Sequence, residues 1–204
     1  MTAVADNEHT MPSTGSLDPP RVPRGEQRAR FEHEVAAHLD ELYTFALGLT
    51  RVDREAEDLV SDAITRAFDR WERYTLGTNA RAWFFTILYH VFVNRRRIEH
   101  GEVLSFDNDD VSAALEVVDS DPEKDFYELI GDDEVGRAID SLPEHYREAV
   151  LLGDVHEFRY AEIAGILAVP VGTAKSRLFR GRRMLQSKLI RYAVEMGYVN
   201  PRAA

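Results

Sequence analysis

The sequence predicts an all-α protein of two small helical domains joined by an acidic, flexible linker, and three observations carry that reading. Apolar residues recur at spacings of three and four through both halves of the chain, the mark of helices with one buried face. No stretch of useful length alternates apolar and polar residues as a strand would, and there are no internal repeats. Between residues 102 and 134, thirteen acidic residues face a single Lys124, which divides the two helical blocks.

Residues 1–27 are rich in Pro, Ser, Thr and Gly, and read as a disordered tail. The first domain is placed at 28–100. Its first helix carries Phe31, Val35, Leu39, Leu42, Ala46 and Leu49. A second helix, with Asp53 as the expected N-cap, carries Ala56, Leu59, Val60, Ala63, Ile64, Ala67, Phe68 and Trp71. After a loop at 74–78, Asn79 is expected to cap a third helix bearing Trp83, Phe84, Ile87, Leu88, Val91 and Phe92. The linker is placed at 101–134, with a short helix possible at Phe126–Ile130. The second domain is placed at 135–198 and a tail at 199–204, with Leu142-Pro143 separating its first two helices.

The C-terminal half holds the most telling pattern. Tyr160, Ile163, Ala164 and Leu167 form one apolar stripe, Pro170 interrupts it, and a new helix follows with Ala174, Leu178 and Leu185 along one side. A second stripe on that helix is mostly basic: Lys175, Ser176, Phe179, Arg180 and Arg183. Two short helices joined by a tight turn make a helix-turn-helix, whose second helix enters the major groove. A charged stripe is often just a solvated face. Here, however, eight basic residues and one acidic residue lie between Phe158 and Arg191, in a chain with net charge −11. Such segregation points to a polyanion, and so to DNA.

Composition narrows the alternatives. The chain has no cysteine, which excludes disulfides and thiolate metal sites and makes a reducing cytoplasm the default location. No apolar run is long enough to span a membrane. The histidines show no ligand spacing, and neither a nucleophile elbow nor a phosphate-binding glycine loop is present. No enzyme, cofactor or metal is expected.

Three stretches together resemble the extracytoplasmic-function (ECF) sigma factors, the two-domain form of the sigma-70 family of RNA polymerase sigma factors. Ala56-Glu57-Asp58-Leu59-Val60-Ser61-Asp62-Ala63 through Ala67-Phe68 is similar to region 2.2. Asn79-Ala80-Arg81-Ala82-Trp83-Phe84-Phe85-Thr86-Ile87-Leu88 is similar to region 2.3. Tyr160 to Ala164, Pro170 to Leu178 and Arg180 to Arg183 together resemble region 4.2. The resemblance runs from about Phe31 to Leu189, and within the family it is nearest the oxidative-stress group restrained by zinc-containing anti-sigma factors. It implies a sigma factor that binds core RNA polymerase at the β′ clamp helices and β flap and directs promoter-specific initiation of a stress regulon. An anti-sigma factor is a further implied partner.

Site residues follow. For the polymerase, the resemblance implies Asp58, Leu59, Ser61, Asp62 and Thr65, with Leu59 or Val60 also suited to the core. For the downstream (minus-ten) element it implies Tyr74, Asn79, Arg81, Phe84, His90, Asn94, Arg95 and Arg96, since catching an unstacked base calls for aromatic faces beside polar groups. Arg95-Arg96-Arg97 also suits the C-terminus of a helix, where cations are favoured. For the upstream (minus-35) element the candidates are Arg159, Tyr160, Thr173, Lys175, Ser176, Arg177, Phe179, Arg180 and Arg183, with Phe179 equally suited to a core. Two positions depart from the family pattern: Ser61 replaces a usual Gln, and His90 replaces a common Asn. The rival reading is a stand-alone helix-turn-helix regulator. It leaves the aromatic first domain without a task, and no apolar face offers the dimer seam such regulators use.

Overall fold

A computed structural model describes residues 24–75, 78–101 and 132–195. Seven α-helices are defined there: α1 (Arg24–Thr50), α2 (Asp53–Arg70), α3 (Ala80–Glu99), α4 (Asp132–Asp140), α5 (Glu144–Val150), α6 (Tyr160–Ile166) and α7 (Val171–Glu195). A 3₁₀ turn, Trp71–Arg73, follows α2, and a π-helical turn, Leu151–Val155, follows α5. There is no strand among the described residues. The helix expected at 126–130 lies outside them.

The expected helices form, with small differences at their ends. Helix α1 begins at Arg24 and α4 at Asp132, ahead of the boundaries expected at 28 and 135. Asn79 does cap α3, its Oδ1 accepting from the Ala82 N–H at 3.0 Å. Asp53 does not cap α2. Val52 holds the cap position, and Asp53 is the first helical residue, accepting instead from the Tyr43 hydroxyl at 3.1 Å. A carboxylate there still complements the positive end of the helix.

Helices α1, α2 and α3 bury an aromatic cluster. Phe31 meets Phe68 and Trp71 edge-on at 5.2 and 5.3 Å, and Trp71 stacks on Tyr74 at 4.8 Å. In the second unit, α7 turns Ala174, Leu178, Leu185 and Leu189 inward, which repeats at four, seven and four. Its backbone comes close to α5, since a Cβ on Gly181 would lie 2.7 Å from Val150 Cγ2 and 3.2 Å from the Tyr146 carbonyl oxygen. The α6–α7 turn closes by a Schellman arrangement: Val169 N–H donates to Ala164 O at 3.0 Å, and Ala168 N–H to Gly165 O at 3.3 Å. Ala168 takes the left-handed position there (φ 52°), where glycine is usual.

The two units are packed together. Gly48 of α1 lies under Leu151, and Phe85 of α3 meets Phe158 edge-on at 4.8 Å. His156 is 4% exposed and sits edge-on between Phe45 and Phe85, at 5.6 and 4.9 Å. The π turn delivers these groups. Its i+5 bond, from His156 N–H to Leu151 O (2.9 Å), adds a residue to the turn and swings His156 and Phe158 onto the first domain. The buried residues of both units form one continuous apolar cluster.

Candidate nucleic-acid and polymerase interfaces

The outer face of α7 is exposed. Lys175, Ser176, Phe179, Arg180 and Arg183 are all open to solvent, and Phe179 is 55% exposed, so it is a surface residue and not part of the core. Arg183 lies against the Phe179 ring at 6.0 Å, and the Lys175 ammonium lies over the half-buried Tyr160 ring at 5.0 Å. Arg159 is exposed and Thr173 half-buried. Arg177 is half-buried too, within electrostatic reach of the buried Tyr89–Glu148 pair. Arg182 belongs to the scaffold: its Nη2 and Nε donate to Asp154 Oδ1 at 2.6 and 3.0 Å, with both side chains nearly enclosed.

The downstream candidates stand differently. Most are held by other parts of the chain. Asn79 spends its carbonyl capping α3, and its amide donates to Glu162 Oε1 of α6 at 2.6 Å. The other oxygen of Glu162 accepts from the Arg159 N–H at 2.9 Å, so one carboxylate both caps α6 and ties it to the first domain. Arg81 donates to Glu41 at 2.5 Å and to the His156 carbonyl at 2.6 Å, and its guanidinium lies 4.2 Å over the Phe158 ring. Arg95 donates to Asp62 at 2.5 Å and to the Asp58 carbonyl at 2.8 Å, and Arg96 is paired with Glu144 of α5. Tyr74 is half-buried, and its hydroxyl donates to Thr78 O at 2.7 Å. Phe84 is 2% exposed among the core aromatics, so in this arrangement it cannot stack on a base. It shares the inward face of α3 with Trp83, Ile87 and Leu88.

On α2, Asp58, Ser61, Asp62 and Thr65 are exposed, and Thr65 Oγ1 donates to Ser61 O at 2.9 Å. Leu59 is fully buried and contributes packing, not contact. Asp58, Ser61, Asp62, Arg95, Ile98 and Glu99 line an open groove of about 450 Å³, and Ile98 stands 76% exposed on it. An apolar side chain ringed by charge suits a protein surface better than a small ligand.

Two groups where the units meet have unusual acidity. Glu148 is buried and accepts from the Tyr89 hydroxyl at 3.1 Å. Burial lifts its carboxyl to about 7. Burial, with Arg81 adding to it, lowers the His156 imidazole to about 4, and its Nε2 has no hydrogen-bond partner among the described residues. Neither group was singled out from sequence, because both are interesting only through the packing of distant elements.

No group of His, Asp or Glu able to hold a metal ion occurs among the described residues, and no helix there is long and apolar enough to cross a membrane.

Comparison with known proteins agrees with the fold and the motifs. Residues 35–100 match the model for Sigma-70 region 2, and residues 132–185 match Sigma-70, region 4. The ECF RNA polymerase sigma factor EcfG of Rhodopseudomonas palustris is 33% identical over 76% of this chain and 83% of its own length. The ECF sigma factor SigE of Mycolicibacterium smegmatis is 33% identical over 84% of this chain and 66% of its own. Among solved structures, the sigma factor RpoE of Bartonella quintana, in complex with the anti-sigma factor NepR, superposes with a TM-score of 0.61 at 32% identity. That match covers 78% of this chain and 96% of RpoE. The chain belongs to the sigma-70 family, in the ECF group of RNA polymerase sigma factors.

Proposed function

We propose that this sigma factor holds a promoter with two grips that the closed chain does not offer together. The upstream grip is the exposed basic face of α7, where Lys175, Arg180 and Arg183 donate to guanine edges and phosphates, Ser176 reaches a base edge and Phe179 presses on a thymine methyl. Arg159, Tyr160, Thr173 and Arg177 flank it. The downstream grip is α3 and its leading loop, with Tyr74, Asn79, Arg81, His90, Asn94, Arg95 and Arg96. The observation that carries this reading is the engagement of Asn79 and Arg81 by Glu162 and the His156 carbonyl. The same polar groups that would catch an unstacked base are satisfied by the helix-turn-helix unit, so the units must part before the downstream element can bind. Asp58, Ser61, Asp62 and Thr65 then meet a basic polymerase surface, the β′ clamp helices, with the β flap engaging the second unit.

The resemblance extends the proposal to an anti-sigma partner, supported by the complex in which RpoE was solved, and to a stress regulon. A cytoplasmic location, beside the polymerase, belongs to the same proposal. The test is run-off transcription with core polymerase on a promoter library, together with footprinting of the chain alone. The expected result is initiation from templates sharing an upstream and a downstream motif, and only with polymerase present. A footprint over paired half-sites without polymerase, with no initiation, would establish the stand-alone regulator instead.

A further inference from the structure

Helix α5 turns a charged stripe toward the first domain. Glu144, Arg147, Glu148 and Leu151, the first residue of the π turn, stand at i, i+3, i+4 and i+7, which is one side of a helix. Each meets a different part of the first domain. Glu144 pairs with Arg96, Arg147 donates to the Leu49 carbonyl, Glu148 accepts from Tyr89, and Leu151 covers Gly48. The other side of α5, at Tyr146 and Val150, packs on Gly181 of α7. A helix stripe covered by its neighbours is ordinarily apolar, yet Arg147 and Glu148 are 4% and 5% exposed. Arg81, Arg96 and Arg182 each meet a carboxylate: Glu41, Glu144 and Asp154. Arg147 meets none among the described residues. Its one hydrogen bond there, from Nη2 to the Leu49 carbonyl oxygen, is 3.5 Å long, and its Nε is without a partner.

We propose that Arg147 keeps the closed chain poised to open, because the packed units hold its charge out of water without a counter-charge. Glu148 and His156, buried where the same units meet, answer burial by favouring their neutral forms. A guanidinium cannot, since it does not give up its proton in a protein. A buried charge left unpaired costs free energy in the closed chain and nothing in the open one. The Leu49 carbonyl lies in the last turn of α1, where the helix end carries about half a negative charge, so it offsets only part of the guanidinium's. It also belongs to the first domain, so parting the units returns Arg147 to water. Against this cation stand the apolar contacts that favour closure, Leu151 over Gly48 and the His156 ring between Phe45 and Phe85. The contact between the units thus combines an apolar grip with one uncompensated charge, which holds the chain closed while limiting how tightly.

The role of Arg147 depends on the opening proposed above, and two measurements separate them. Single-molecule energy transfer between dyes on Glu55→Cys and Gln186→Cys counts open and closed molecules of the full chain. Arg147→Met keeps the length of the side chain and removes its charge. It is expected to lower the open-to-closed ratio about tenfold, since replacing buried charge with an apolar group of similar size is often stabilising. Leu151→Ala uncovers Gly48 and is expected to raise the ratio roughly tenfold. Run-off transcription is measured alongside, and Arg147→Met should need several-fold more core polymerase for the same initiation. An unchanged or higher open-to-closed ratio in Arg147→Met overturns the assignment. So does a ratio unmoved by Leu151→Ala, because this contact would then not be what closes the chain. A lower ratio in Arg147→Met with unaltered initiation upholds the role of Arg147 and instead removes opening from the function proposed above. Thermal melting separates a shift in closure from loss of fold. If Arg147→Met melts early, Arg147→Gln, which is uncharged but polar, takes its place with the same expected direction.

Discussion

Closure of the two units is expected to be nearly independent of pH in the wild-type chain and steeply dependent in either of two variants. Glu148 and His156 are both buried where the units meet, and opening returns them to water, at ordinary values of 4.5 and 6.5. The charged groups around them are few. Glu148 faces Tyr89 and Arg96 from α3, Glu144 from its own helix and Arg177 from α7, whereas His156 faces Arg81 from α3 and Glu41 from α1. Burial is the largest cause in each case, and it acts with opposite sign on an acid and a base. For Glu148, raised to about 7, closure is favoured in acid and weakened as pH rises from 4.5 to 7. For His156, lowered to about 4, closure is penalised in acid and recovers as pH rises from 4 to 6.5. Each effect amounts to about 3.5 kcal/mol at about 1.4 kcal/mol per unit, and the two windows overlap almost completely. Their sum is therefore flat to within about 1 kcal/mol.

Removing one partner uncovers the other. Glu148→Gln keeps an acceptor for Tyr89 and leaves only His156, so its closed population should rise with pH between 4 and 6.5. His156→Phe keeps the ring between Phe45 and Phe85 and leaves only Glu148, so its closed population should fall between 4.5 and 7. Energy transfer between dyes on Glu55→Cys and Gln186→Cys, in a chain with no other cysteine, reads the population directly. Flat profiles in both variants would refute the reasoning, because these two groups would then not change solvation on opening.

Other expected outcomes are local. Ala168→Gly relieves a left-handed alanine at the end of α6 and should raise stability by about 1 kcal/mol in a urea melt; a decrease would contradict the strain. Asp154→Ala removes the carboxylate that the Arg182 guanidinium meets in a nearly enclosed site and should cost about 3 kcal/mol. Asp154→Leu/Arg182→Met, which removes both charges, should cost much less. Arg180→Ala should weaken upstream-element binding by about 1–3 kcal/mol with no effect on melting, and unchanged affinity and preference would remove it from the recognition surface.

Much of this was legible in the sequence, since the decisive patterns are local. The spacing of Tyr160, Ile163, Ala164 and Leu167, the break at Pro170 and the basic stripe from Lys175 to Arg183 fix the helix-turn-helix without long-range knowledge. Asn79 announced its cap by standing before an amphipathic run. Exposure at the edge of a stripe was harder. Phe84 and Leu59 fall inward and Phe179 outward because of how neighbouring helices pack, and a helical period alone leaves such border positions undecided. The contacts between the units were out of reach. Glu162 to Asn79 spans 83 residues, Arg81 to the His156 carbonyl spans 75, and the π turn that aims His156 has no sequence signal in Leu151-Leu152-Gly153.

The central claim is that the closed chain must open to start transcription, and it can be tested with one cross-link. A Cβ on Gly48 would lie 3.4 Å from Leu151 Cγ, so Gly48→Cys/Leu151→Cys places two thiols within disulfide reach across the packed units, in a protein with no other cysteine. Neither residue lies on a promoter or polymerase surface proposed above. Run-off transcription with core polymerase is then measured for the oxidised and the reduced variant. The account predicts no initiation when oxidised and recovery on reduction. Equal activity in both states would show that the units need not separate, and would contradict it.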